Sequence, residues 1–142
     1  MSLNDENRRL RVNDELEKAY EAMTDAEVLV ERERWNGAAG RFYYALFHAV
    51  TALLIHDAHP VKSHKGALRA FGQHYVITGK VPAEYGVLFS QFETLREGSD
   101  YTGFYRVKPE TLMQKIPQAH EMIDTIADMV KEINDDKEIS IN

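Results

Sequence analysis

Apolar residues recur at intervals of three and four along most of this chain, the period of an α-helix that buries one face. From about Val12 to Glu33 the positions Leu16, Ala19, Tyr20, Met23, Ala26 and Val30 keep that spacing with charges between them, predicting an amphipathic first helix. Trp35-Asn36-Gly37 is expected to interrupt it, because Asn and Gly favour turns and left-handed geometry and weaken helix interiors. A second helix is predicted from near Ala38. Between Phe42 and Ile55 it is apolar on nearly every side, with Arg41, His48 and Thr51 the strongly polar residues before His56, so it belongs at the centre of the fold.

Asp57-Ala58-His59-Pro60 closes that helix, since Pro60 disfavours helical geometry at His59 and cannot itself continue the ladder. Ser63 reads as the N-cap of a short helix carrying Leu68, Phe71 and Tyr75 on one face and ending around Thr78-Gly79. Pro82 suits a first helical turn, and Tyr85, Leu88, Phe89, Phe92 and Leu95 mark a fourth helix expected to stop at Gly98. Gly98 to Lys108 reads as a loop. Pro109 opens the last helix, whose Leu112, Ile116, Ala119, Ile123, Ile126, Val130 and Ile133 form a near-heptad stripe, with Pro117 expected to kink its first turns. The polar tail 134–142 is expected to fray. No repeat, low-complexity tract or strand alternation of useful length interrupts this pattern. It predicts an all-α fold, an up-and-down helical bundle of four to five helices forming one domain over 1–142.

Composition agrees with a folded chain: 44% hydrophobic and 28% charged residues is far from the signature of disorder. Cysteine is absent, which excludes disulfides, thiolate zinc sites and cysteine nucleophiles, and no metal or cofactor is expected. The polar start, Met1 to Leu10, lacks the apolar core of a signal peptide, and no stretch is read as approaching the roughly 20 apolar residues of a membrane span. A cytoplasmic protein without a membrane partner is the expectation. The net charge of -6 argues against a general nucleic-acid coat. It conceals an uneven distribution, however: Arg34 to Lys108 holds 9 basic and 5 acidic residues, against 8 and 18 elsewhere. Five of the six histidines fall in that basic middle, which keeps an anion-binding surface open.

Three groups of residues carry candidate chemistry. Arg41, Tyr44, Ala45 and His48 fall on one helical face, so Arg41 and His48 are placed to act on one object. A guanidinium is costly to bury alone, so this face either opens onto a cleft or meets an acid from another helix. The blander reading pairs Arg41 with Glu93 or Asp100 and leaves His48 a satisfied core histidine. Ser63-His64-Lys65-Gly66 places basic side chains at a helix start, where the dipole already favours an anion; the alternative is a capped start with two solvated side chains. Arg96-Glu97-Gly98-Ser99-Asp100-Tyr101 offers a guanidinium, a carboxylate, a hydroxyl and a phenol near a helix end. Phe89 and Phe92 are read as core at their helical spacing, although with Phe104 and Tyr105 they form a set able to stack bases.

In this order the segments Arg41-Phe42-Tyr43-Tyr44-Ala45-Leu46-Phe47-His48, Ser63-His64-Lys65-Gly66, Phe71-Gly72, Gly79-Lys80-Val81-Pro82 and Arg96-Glu97-Gly98-Ser99-Asp100-Tyr101 resemble a prokaryotic branch of the HEPN domain family, over about Ala22 to Ile133. The resemblance implies a bundle of four or five helices, a homodimer, and pairing with a small nucleotidyltransferase in toxin–antitoxin or related defence systems. Many members are metal-independent ribonucleases, in which an Arg, four to six further residues and a His line a cleft between two protomers. The Arg would hold the scissile phosphate and the His would move protons to or from the ribose 2′-OH and the leaving oxygen.

Arg96 matches that Arg, but positions five to seven beyond it are Tyr101, Thr102 and Gly103. A phenol, with its ordinary pKa of about 10, is a poor base at neutral pH. The family tyrosine modified by the partner enzyme lies at another offset, and that role is not carried to Tyr101. Arg41 and His48 have six residues between them, yet in mid-helix and not at the family's loop position. His64 would replace the missing base if it reached Arg96 across the fold or the dimer.

The reading is therefore a dimeric HEPN-like module that binds a nucleotide, an RNA phosphate or a nucleotidyltransferase partner through a cleft lined by Arg41, Tyr44, His48, His64, Lys65, Arg96, Asp100 and Tyr101. One alternative is a metal-independent ribonuclease with Arg96 and His64 as its catalytic pair. The other is a structural interaction bundle in which Arg41 and Arg96 only tie helices together.

Overall fold

The computed structural model describes residues 3–101 and 106–141, with the backbone alone described at residues 3, 100–101 and 132–141. Among them are five α-helices and no strand: α1 (Leu3–Glu31), α2 (Trp35–His56), α3 (His64–Phe71), α4 (Ala83–Tyr101) and α5 (Pro109–Ile141). A π-helical turn, Gly72–Val76, continues α3. The all-α bundle expected from the hydrophobic period is the observed fold.

Its centre is α2, which packs against α1, α3, α4 and α5. Half of its 22 residues are buried, among them Phe42, Tyr43, Leu46, Val50, Leu53 and Leu54. By length and composition this helix is apolar enough to cross a membrane, a match that the expectation of no such stretch missed. The structure instead places its apolar surface against the other helices. The largest contact is with α1. There Ala19, Ala22 and Ala26 on α1, and Ala38, Ala45, Ala49 and Ala52 on α2, have no exposed surface. Side chains this small let two helix axes approach closely. The helices run antiparallel, as the cross-pairs Asp25–Arg41 and Glu15–His48 show.

The break between α1 and α2 falls earlier than predicted. Glu33 takes the left-handed conformation, φ 57°, and Trp35-Asn36-Gly37 forms the first turn of α2. Asn36 serves a different purpose from the expected turn: its side-chain oxygen accepts a hydrogen bond from the Val107 backbone N–H at 2.7 Å, tying the approach to α5 onto the start of α2. Ser63 caps α3 as predicted, accepting from the Gly66 N–H at 2.9 Å. Lys80 and Val81 close the π-helical turn through bonds to the Tyr75 carbonyl, with Gly79 at φ 76° between the two segments.

At the other side, α5 is fastened to α1 by Tyr20 donating to Asp124 at 2.8 Å and by His120 meeting Glu27 at 2.8 Å. Burial and the Asp124 carboxylate push the Tyr20 phenol up to about 12. Helix α5 continues through Pro117. Helix α4 does not stop at Gly98; its backbone remains helical to Tyr101, with the Ser99 hydroxyl bonded back to the Leu95 carbonyl at 2.9 Å. Phe89 and Phe92 are fully buried, as their spacing predicted, whereas Phe104 and Tyr105 lie outside the described residues.

Candidate functional site

Three helices meet at Tyr43. Its position in the most apolar part of α2 buries the ring completely, stacked on Phe89 of α4 at 5.8 Å between centroids and beside Phe47 at 6.2 Å. The hydroxyl reaches α3, where it lies 2.9 Å from Nδ1 of His64. The guanidinium of Arg96 on α4 covers the ring at 4.8 Å from its centroid, within cation–π range. Burial, with the Glu93 carboxylate close by, raises the Tyr43 phenol against the opposing pull of Arg96, so it keeps its proton across the physiological range.

His64 owes its place to the cap that starts α3: Ser63 in extended geometry turns the chain, and the first helical residue then projects onto α2. Its ring packs on Phe47 at 4.4 Å. Burial depresses its pKa below the ordinary value of 6.5, and Arg96 and His48 act in the same direction against Glu93. The positive end of α3 also disfavours a second proton. His64 is therefore a neutral imidazole at pH 7, the form that can accept a proton.

A second guanidinium joins from α2. Arg41 lies 5.8 Å from the centroid of Tyr44, and Arg96 lies 6.0 Å from the same ring, so the two cations converge on one phenol. Their surroundings differ. Arg96 is 7% exposed, one turn beyond Glu93 at 8%. Arg41 has a side chain 42% exposed, paired at 3.6 Å with an Asp25 that is itself 62% exposed. An exposed pair of this length is weak and yields readily to a competing anion. The Arg41 Nε is buried without a hydrogen-bond partner among the described residues.

The structure thus brings together Arg41, Tyr44, His64 and Arg96 of the predicted set. His48 stands near enough to act on the charge of His64, but its Nδ1 is engaged by Glu15 on α1 at 2.6 Å. Arg41 and His48 share a helical face, as expected, but each engages its own carboxylate on α1, so the expectation that they act on one object is not met. Among the described residues Arg41 pairs with Asp25 and not with Glu93, because α1 covers this side of α2. Lys65 is exposed and faces a shallow depression of about 370 Å³ with Arg69, Glu93 and Glu97. The side chains of Asp100 and Tyr101 lie outside the described residues.

Tyr43 and Glu93 lie outside the set of site residues that the sequence suggests. Tyr43 sits in a run of apolar residues that hides its hydroxyl's role, and Glu93 is set among core positions of α4. The available signal was that a buried phenol needs a partner, and His64 supplies it. No group of three or more His, Cys, Asp or Glu residues able to hold a metal ion occurs among the described residues.

A sequence profile described as the HEPN domain matches residues 12–133. A "UPF0332 protein" of Thermotoga maritima is 33% identical over 116 residues, covering 82% of this chain and 88% of that one. Methanocaldococcus jannaschii has two similar proteins. One, named "Putative toxin MJ0605", is 32% identical over 118 residues, covering 83% of this chain and 87% of its own length. The other, "Putative toxin MJ0142", is 27% identical over 105 residues, covering 74% and 71%. With most of its length matched by the profile, and with the helical bundle in place, this chain belongs to the HEPN domain family.

Proposed function

We propose that this chain is a toxin-like HEPN module that holds a phosphate of RNA or of a nucleotide at the corner formed by Arg41, Tyr44 and Arg96, within a toxin–antitoxin-like pair. The toxin names of the two archaeal relatives support the toxin-like assignment. The observation that carries the ligand class is the convergence of two guanidinium groups on one tyrosine ring, one of them loosely paired at the surface. Arg41 would exchange Asp25 for a phosphate oxygen, and Tyr44 offers a face on which a base can stack. A second copy of the chain and a nucleotidyltransferase are the partners this reading takes from the family, acting in the cytoplasm.

The test is RNA and nucleotide binding by fluorescence anisotropy. Arg41→Gln should weaken binding tenfold or more, and Asp25→Asn should strengthen it, because it removes the competing carboxylate. Unchanged affinity in both variants sinks the reading. Light scattering checks the dimer against the 16.3 kDa of one chain.

A second reading, a metal-independent ribonuclease, is favoured by the meeting of His64 and Arg96 on Tyr43. His64 would accept the proton of a ribose 2′-OH as the 2′-oxygen forms its bond to phosphorus. The bond from phosphorus to the 5′-oxygen then breaks, and the leaving oxygen takes a proton from water while His64 gives up its own to solvent, with guanidinium charge stabilising the phosphorane. Cleavage that persists in EDTA and is lost in His64→Ala supports it; binding without cleavage leaves the first reading.

A further inference from the structure

Far along α2 from Tyr43, a cavity of about 480 Å³ lies between the first turns of α1, the end of α2 and the segment that leads to α3. Its walls include Arg8, Arg11 and Lys62 and no carboxylate. Arg8 is held by Asp5 at 3.9 Å, with both side chains about half exposed, whereas Arg11 and Lys62 make no ion pair among the described residues. Three cations around one hollow repel one another, and an anion there relieves all three.

The groups that would oppose an anion are otherwise engaged. The end of α2 would present free carbonyls, but Leu53, Leu54 and Ile55 accept from the N–H groups of Asp57, His59 and Ala58. The Asp57 carboxylate is turned to the Tyr75 hydroxyl and the His56 ring. Thr51 is also among the lining residues, and its hydroxyl is buried with no hydrogen bond among the described residues. A threonine in mid-helix ordinarily bonds back to the carbonyl four residues earlier. The remaining wall holds the polar Asn4, Asn7 and His59 and an apolar side made by Leu54, Ile55, Ala58, Pro60 and Val61.

We propose that this cavity is a second anion site, which takes a phosphate group on Arg8, Arg11 and Lys62 while the organic part of the phosphate ester lies along Ile55, Pro60 and Val61. The site is independent of the Arg41–Arg96 corner: Ile55 is fourteen residues beyond Arg41, about 21 Å along the helix axis. The phosphate can come from a free mononucleotide or from a nucleic-acid end, and the experiment separates the two.

Inorganic phosphate is titrated into the full chain at low ionic strength and followed by amide NMR. The expected result is a saturable shift at Thr51, Ala58 and Lys62. Arg11→Gln with Lys62→Gln should weaken it at least tenfold, whereas Arg41→Gln should change it less than twofold. Thr51→Val adds a readout that lost folding cannot imitate, namely several-fold weaker binding at an undiminished thermal midpoint. Competition by AMP identifies the free nucleotide as the source, and competition by a 5′-phosphorylated oligonucleotide alone identifies the nucleic-acid end. No saturable shift at these residues, or one equally strong in the Arg11/Lys62 double variant, overturns the proposal. Loss of RNA binding in Arg41→Gln bears only on the other corner.

Discussion

The hydroxyl of Tyr43 and Nδ1 of His64 stand 2.9 Å apart, joining the buried middle of α2 to the first residue of α3. The contact fixes the ring of a neutral histidine beside two arginines and gives a buried phenol its partner. Tyr43→Phe keeps the ring stacking on Phe89 and Phe47 and deletes only this bond. It should cost about 1 kcal/mol in denaturant unfolding. It should also change the ¹⁵N shifts of the His64 ring while leaving those of His120 untouched.

The depressed pKa of His64 makes stability depend on pH in a definite direction. The unfolded chain binds this proton more readily than the folded one, so stability rises with pH between the folded-state value and 6.5 and is level above it. Acidification through that window therefore destabilises the protein. His64→Gln should remove this part of the slope between pH 5 and pH 7, measured by urea midpoints at fixed ionic strength.

Arg96 fills space as well as carrying charge. Arg96→Ala uncovers the Tyr43 face and removes a nearly buried cation stacked on it, an effect of about 2 kcal/mol. Arg96→Lys retains the charge but not the flat stacking surface, and should lose about half as much. Thermal unfolding of the two variants ranks them; equal stability in both would show that the stacking surface alone matters there, since Lys restores the charge.

Gly66 links the backbone to the site. A Cβ at this position would stand 2.9 Å from the Ser63 Oγ, the atom that caps α3. Gly66→Ala should therefore cost about 1 kcal/mol through the cap. It should also displace the His64 ring, seen as lost shift dispersion. Gly40→Ala meets nothing within 4 Å and serves as the control.

The helical period was sufficient to find α2, its burial and the stripe along α5, because those depend on residues close together in the chain. The break at Glu33 precedes the turn chemistry of Asn36 and Gly37, which the fold uses otherwise: Asn36 bonds Val107, seventy-one residues away. Helix α4 runs past Gly98, because a glycine terminates a helix only where the following geometry turns left-handed. At the site, Arg96 and His64 are legible as residue types, and each touches Tyr43, a contact that local spacing does not record. The partners of Arg41 and His48 were not legible. Asp25 and Glu15 become neighbours only once the antiparallel register of α1 on α2 is set, and local spacing carries no record of that register.

Helix α3 has eight residues, too few to hold together in water unaided. It is moored at both ends: Tyr43 meets its first residue, and Tyr75, in the π-helical turn that follows, reaches Asp57 at the close of α2. A short element moored twice behaves as a strut. Slackening one mooring loads the other, so a change at the histidine end is transmitted to the far end of α2, and hydrogen exchange along α3 should rise as a unit when either tyrosine is replaced by phenylalanine.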